Sequence, residues 1–90
     1  MRSLGVIFLA DIVGYSKMMA QDEPGTLTKL REFARDVIAP TLKKHQGTMI
    51  KSLGDGWLIE FNSATTAVSC AQEWQEITKR EGKMSLRVGI

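Results

Sequence analysis

The order in which two hydrophobic periodicities alternate constrains this chain more than any single residue. A near-continuous apolar run, Leu4 to Ala10, suits a central strand covered on both faces. Leu27, Leu30, Phe33, Ala34, Val37, Ile38 and Leu42 then recur at helical spacing. Thr48 to Lys51 and Trp57 to Phe61 read as two short strands, joined by a turn. Ala64, Ala67, Val68, Ala71, Trp74 and Ile77 form a second helical stripe, capped by Asn62 or Ser63. Leu86, Val88 and Ile90 alternate as a closing strand. Strand, helix, strand, strand, helix, strand is the order of the α+β, ferredoxin-like (palm-type) split βαβ arrangement, with helices on one face of a four-stranded antiparallel sheet. That arrangement orders the sheet 4-1-3-2 and makes the first and third strands neighbours.

Punctuation between the elements fits this reading. Gly14 permits a sharp turn, and Tyr15 to Met19 reads as one or two helical turns. Asp22-Glu23-Pro24-Gly25 has the character of a helix start. Pro40 falls inside the first long stripe and is expected to kink that helix or end its regular part. Gly47 is the expected C-terminal cap. His45, beside Lys43 and Lys44, reads as a helix-end residue favoured by the dipole rather than as a catalytic base.

Ninety residues make a single domain, 1–90, with a small core. A formal net charge of +2 is too slight to argue for nucleic acid or a membrane surface as a partner. Cys70 is the one cysteine, so no internal disulfide forms, and a buried thiol on a helix is the expected role. The apolar run near the N-terminus is stopped by Asp11, short of a secretory core, and no segment is long enough for a membrane span. A cytoplasmic location follows from this reading.

Two acids stand out within that frame. Asp11 ends the first apolar run, and Asp55 sits between Gly54 and Gly56 at the tip of the hairpin. Taken singly, Asp11 reads as a helix cap and Asp55 as a turn former. Taken together, the neighbouring first and third strands bring them to one edge of the sheet. Two carboxylates brought together repel unless a proton or cation neutralises them. Oxygen-only ligands at an open edge favour Mg2+ or Mn2+, bound through a couple of carboxylates plus substrate phosphates. The turn Ile12-Val13-Gly14-Tyr15-Ser16 offers backbone amides leading into a helix, a place for phosphate oxygens. Acid pair, metal and phosphate loop together point to two-metal phosphoryl or nucleotidyl chemistry.

Phe8-Leu9-Ala10-Asp11-Ile12-Val13-Gly14-Tyr15-Ser16 resembles the first metal-binding motif of the class III nucleotidyl cyclases, and Lys51-Ser52-Leu53-Gly54-Asp55-Gly56 resembles their second. Asp22 to Thr26 and the helix of Ala67 and Ala71 also match bacterial members of that family. The resemblance implies that Asp11 and Asp55 are catalytic metal ligands, assisted by the Ile12 carbonyl. It implies that Lys51 faces the purine, lysine being the adenylate-cyclase choice and glutamate the guanylate-cyclase one. It further implies ATP as substrate, cyclic AMP and pyrophosphate as products, and a homodimer in which two domains pair head to tail around shared sites. The family's second purine-contacting residue, its transition-state asparagine and arginine, and its dimerising arm lie beyond the last strand, so these ninety residues are expected to be an inactive fragment. Two other readings remain: a catalytically dead, cyclase-like regulatory domain, and an RNA-recognition-type fold that binds single-stranded RNA. Trp57-Leu58-Ile59-Glu60-Phe61 lacks the basic residue and spaced aromatics that the RNA reading needs.

Overall fold

The computed structural model describes residues 5–90, so Met1 to Leu4, including the expected first residue of the opening strand, lie outside the described residues. Among the described residues the order is β1 (Val6–Ile12), α1 (Tyr15–Gln21), α2 (Glu23–Phe33), a π-helical segment (Ala34–Ile38), α3 (Ala39–His45), β2 (Thr48–Ser52), β3 (Gly56–Phe61), α4 (Ala64–Glu81) and β4 (Leu86–Gly89). The strands form one antiparallel sheet in the order β2-β3-β1-β4. This is the expected 4-1-3-2 order, read from the other edge.

Alternation in the central strands divides the sheet into two unlike faces. Phe8, Ala10 and Ile12 of β1, Trp57, Ile59 and Phe61 of β3, and Leu86 of β4 are buried under the helices. The alternate positions, Ile7, Leu9 and Asp11 of β1 and Arg87 of β4, are exposed or half-buried on the other face. Trp74 of α4 stands at the centre of the core. Its ring meets Phe8, Phe33 and Trp57 edge-on at centroid distances of 5.2, 5.6 and 6.3 Å. A fully buried indole needs a partner for its N–H, and Nε1–H donates to Thr41 Oγ1 at 2.7 Å. Trp74 is therefore a packing residue, as its place in the stripe predicts.

Pro40 does not end the helix. The turn before it opens, and Ala39 N–H reaches back to the carbonyl of Ala34, five residues away. A proline ring clashes with the carbonyl four residues earlier and donates nothing; a widened turn accommodates both defects, and α3 continues from Ala39. Its end also differs from expectation. Gln46, not Gly47, adopts the left-handed conformation (φ 59°), and the Gly47 amide returns to the Leu42 carbonyl at 2.8 Å.

Caps elsewhere follow the sequence. Asp22 accepts from the Gly25 amide at 3.0 Å and starts α2. Ser63, rather than Asn62, accepts from the Thr66 amide at 3.1 Å and starts α4. The inner face of α4 is Ala67, Cys70, Trp74 and Thr78, partly flanked by Ala71 and Ile77. Val68, expected on that face, is exposed because it lies about 100° round the helix from Ala67.

Candidate metal and nucleotide site

The geometry of the site begins with backbone. Asp11 of β1 stands opposite Gly56 of β3 on one side and opposite Arg87 of β4 on the other. One residue on, the Ile12 N–H donates to the carbonyl of Asp55 at 2.8 Å. The hairpin tip is thus tied to the end of β1, and Asp11 and Asp55 share one end of the sheet. Gly54, at φ 87°, makes the tight turn that glycine adopts without penalty. Gly56 serves differently: a Cβ there would run into the Ala10 carbonyl oxygen and lie 2.9 Å from the Asp11 Cα. The two glycines that flank Asp55 therefore place it, one by its dihedral and one by its bareness.

The two acids differ in freedom. Asp55 is exposed on its turn, whereas the Asp11 side chain is only 29% exposed. Arg87 Nη2 donates to Asp11 Oδ2 at 3.2 Å. The same nitrogen stands 3.2 Å from Oδ1, yet that oxygen is buried and makes no hydrogen bond. Sequence reasoning missed Arg87. Its signal was the polar side of the Leu86-Arg87-Val88 alternation, which acquires meaning only once the β1–β4 register is known. Asp11 does not cap α1: the cap is Gly14, in the left-handed region at φ 71°, and no side chain accepts from the first turn. The leading amides of that turn, at Tyr15 and Ser16, thus have no side-chain cap.

Lys51 reaches the site face by an irregularity that the sequence does not announce. The β2–β3 pairing runs Met49 to Ile59 and then Lys51 to Leu58, so Ile50 is an extra residue in the ladder. A bulge re-aims the side chains beyond it. Uninterrupted alternation would put Ile50 opposite Leu58; the bulge puts Lys51 there. Leu58 in turn stands opposite Leu9 of β1. Lys51 thus shares the open face of the sheet with Leu9 and Asp11, separated from β1 by β3. Ile12 itself is buried in the core and offers the edge only its backbone.

The donor set fits a hard divalent cation. It comprises carboxylate and carbonyl oxygens, with one buried Asp11 oxygen lacking any partner. No cluster of three or more His, Cys, Asp or Glu side chains occurs among the described residues, so a cation held at Asp11 and Asp55 would need further oxygen ligands from water or substrate. That is the usual arrangement for magnesium, which keeps water and substrate phosphates. His45 stands apart from this edge. Its Nε2 lies 2.9 Å from Glu73 Oε1, which Lys44 Nζ also meets at 3.0 Å, and these contacts, with His45 the larger influence, hold the Glu73 carboxyl below its usual range. A cleft of about 720 Å³ beside Val13, Met18, Gln75, Lys79 and Met84 contains none of Asp11, Asp55 or Lys51. The acid pair lies on an open edge instead.

Comparison with known proteins agrees with this geometry. No protein-family model matches the chain. A protein of Rhizobium meliloti (strain 1021), "Putative adenylate cyclase 3", is 45% identical over 96 residues, which cover 99% of this chain and 16% of that protein. The solved adenylate/guanylate cyclase/hydrolase from Silicibacter pomeroyi superposes with a TM-score of 0.81 at 32% identity, over 94% of this chain and 54% of that one. The chain belongs to the class III nucleotidyl cyclase family. The guanylyl cyclase Cya2 has the same fold, with a TM-score of 0.67 at 19% identity over 99% of this chain and 55% of that one. The cyclase domain described here therefore spans about half the length of these solved cyclases and a sixth of the Rhizobium protein. A weaker likeness, 26% over 70 residues, falls on 8% of a Myxococcus xanthus serine/threonine-protein kinase, pkn2, and carries no argument about kinase chemistry.

Proposed function

We propose that this chain supplies the metal-binding part of a site that converts ATP to cyclic AMP and pyrophosphate. The observation that carries the reading is the Ile12 N–H to Asp55 carbonyl bond, which brings the second acid to the strand end bearing the first. Asp11 and Asp55 hold the cation, Mg2+ or Mn2+, with the Ile12 carbonyl assisting. When bound, the cation offsets phosphate charge and favours ionisation of the attacking 3′ hydroxyl. The backbone of Gly14, Tyr15 and Ser16 faces the phosphates, and Lys51 faces the purine. A lysine can donate to a ring acceptor of adenine but offers no acceptor to the N–H groups of guanine.

The open sheet face supports a partnered site. Ile7 and Leu9 are 49% and 41% exposed there, on the face that also carries Asp11 and Lys51. A second copy that covers this face would bring its own Lys51 toward the acid pair of the first, as in the head-to-tail dimers of the family. Single-strand RNA binding finds no support. Phe8, Trp57 and Phe61, the aromatics of β1 and β3, are buried under the helices, so the open face lacks a stacking platform. Among the described residues no helix is long and apolar enough to cross a membrane, and we place the domain in the cytoplasm.

The test is production of cyclic nucleotide by the complete protein with manganese and either ATP or GTP. ATP is the preferred substrate, and Lys51→Glu lowers its use. Equal turnover of both nucleotides by the unsubstituted protein would overturn the assignment of Lys51. Absence of turnover by the complete protein would favour a regulatory, catalytically dead domain.

A further inference from the structure

Arg87 is a charged side chain that the site reading leaves unassigned, and its contact with Asp11 has an asymmetry. Asp11 is fixed in β1 between two paired strands, and its side chain is 29% exposed. The Arg87 side chain is 76% exposed, on the edge strand β4, and reaches Asp11 through a single nitrogen at 3.2 Å. A fixed acid is therefore met by a long, solvent-facing cation that can leave without disturbing the core. The contact also leaves the carboxylate half-used, because Oδ1 is buried without a hydrogen bond.

We propose that Arg87 is the counter-ion of Asp11 in the metal-free domain and yields that carboxylate to the incoming cation, so that it sets the metal affinity of the site. This rests on the reading of Asp11 and Asp55 as metal ligands. With no metal bound, Arg87 supplies a positive charge beside Asp11, which shares its end of the sheet with Asp55. A free divalent cation must then bind against a positive charge already at Asp11. A cation arriving with a nucleotide brings phosphate oxygens, which accept paired hydrogen bonds from a guanidinium and can draw Arg87 away. Arg87 would thereby disfavour bare metal relative to the metal–nucleotide complex. It is a positioning residue, acting through Asp11.

The experiment is titration of the full protein with Mn2+ alone, free manganese being followed by electron paramagnetic resonance. Arg87→Gln should bind Mn2+ about three- to tenfold more tightly than the unsubstituted protein, since a nearby unit charge in solvent is worth of that order. Arg87→Lys, which keeps the charge, should stay near the unsubstituted value. In an Asp11→Asn background, Arg87→Gln should change nothing. If Asp11→Asn binds Mn2+ as well as the unsubstituted protein, the metal-site reading falls. If binding requires Asp11 but Arg87→Gln binds equally or less well, the counter-ion role alone falls. If no variant binds Mn2+, both fall. Melting temperatures of each variant, measured without metal, separate loss of fold from loss of site.

Discussion

Gly56 faces Asp11 directly across the β1–β3 ladder, and its missing side chain lets the two strands approach closely beside the turn that carries Asp55. The same position joins the fold's close packing to the candidate site.

Gly56→Ala should therefore damage both. The added methyl meets backbone, the Ala10 carbonyl and the Asp11 Cα at 2.9 Å, so flexible side chains cannot absorb it. We expect a loss of about 1–3 kcal/mol, the range for overpacking, measurable as a lower urea midpoint. Cation binding should weaken in parallel. An unchanged midpoint would show that the strands can separate freely.

Thr41 and Trp74 make a second sensitive pair. The Thr41 hydroxyl donates to the Val37 carbonyl at 2.6 Å and accepts from the Trp74 indole at 2.7 Å. Thr41→Val keeps the volume but strands the buried indole N–H. The expected cost is about 1–3 kcal/mol, and thermal unfolding measures it. Thr41→Ser, which keeps the hydroxyl, should retain most of that stability.

Cys70 gives a prediction in pH. Burial pushes its thiol up to about 11 from 9.0, while the Thr41 contact pulls the other way. The folded chain thus keeps its proton to higher pH than the unfolded chain. The stability linked to this group is intact below about pH 9 and declines between pH 9 and about pH 11. At pH 8 the native thiol should resist a disulfide reagent and react on unfolding. A urea-midpoint series on Cys70→Ala, compared with the unsubstituted chain across that window, isolates its contribution.

Much of this is legible in the sequence. Because the apolar periods fix the element order, and that order makes β1 and β3 neighbours, Asp11 and Asp55 could be placed at one sheet end from sequence. What escaped was whatever depends on register rather than period. Ile50 looks like an ordinary strand residue, and nothing local marks it as the bulge that turns Lys51 onto the face of Asp11. Arg87 pairs with a residue 76 positions away, and only the ladder sets that distance. Pro40 announced a disturbance, but whether the helix breaks or widens depends on the packing of α3 against α4. Val68 and the expected Gly47 cap differ from the structure for a similar reason, since a sequence pattern locates a face or a helix end only to within a residue either way.

The central claim is that Asp11 and Asp55 form the cation site of a nucleotide cyclase, and Asp55→Ala tests it most directly. Asp55 is exposed, and its structural bond to Ile12 uses the backbone carbonyl, which alanine keeps. An exposed substitution of this kind usually changes stability by less than about 0.5 kcal/mol. The measurement is cyclic AMP formation by the complete protein with manganese and ATP, beside its melting temperature. The account predicts turnover reduced by at least about 10²-fold, the scale of losing a group that stabilises charge in the transition state, with the melting temperature nearly unchanged. Retained turnover, with or without a loss of stability, would contradict it and return Asp55 to the role of a turn former.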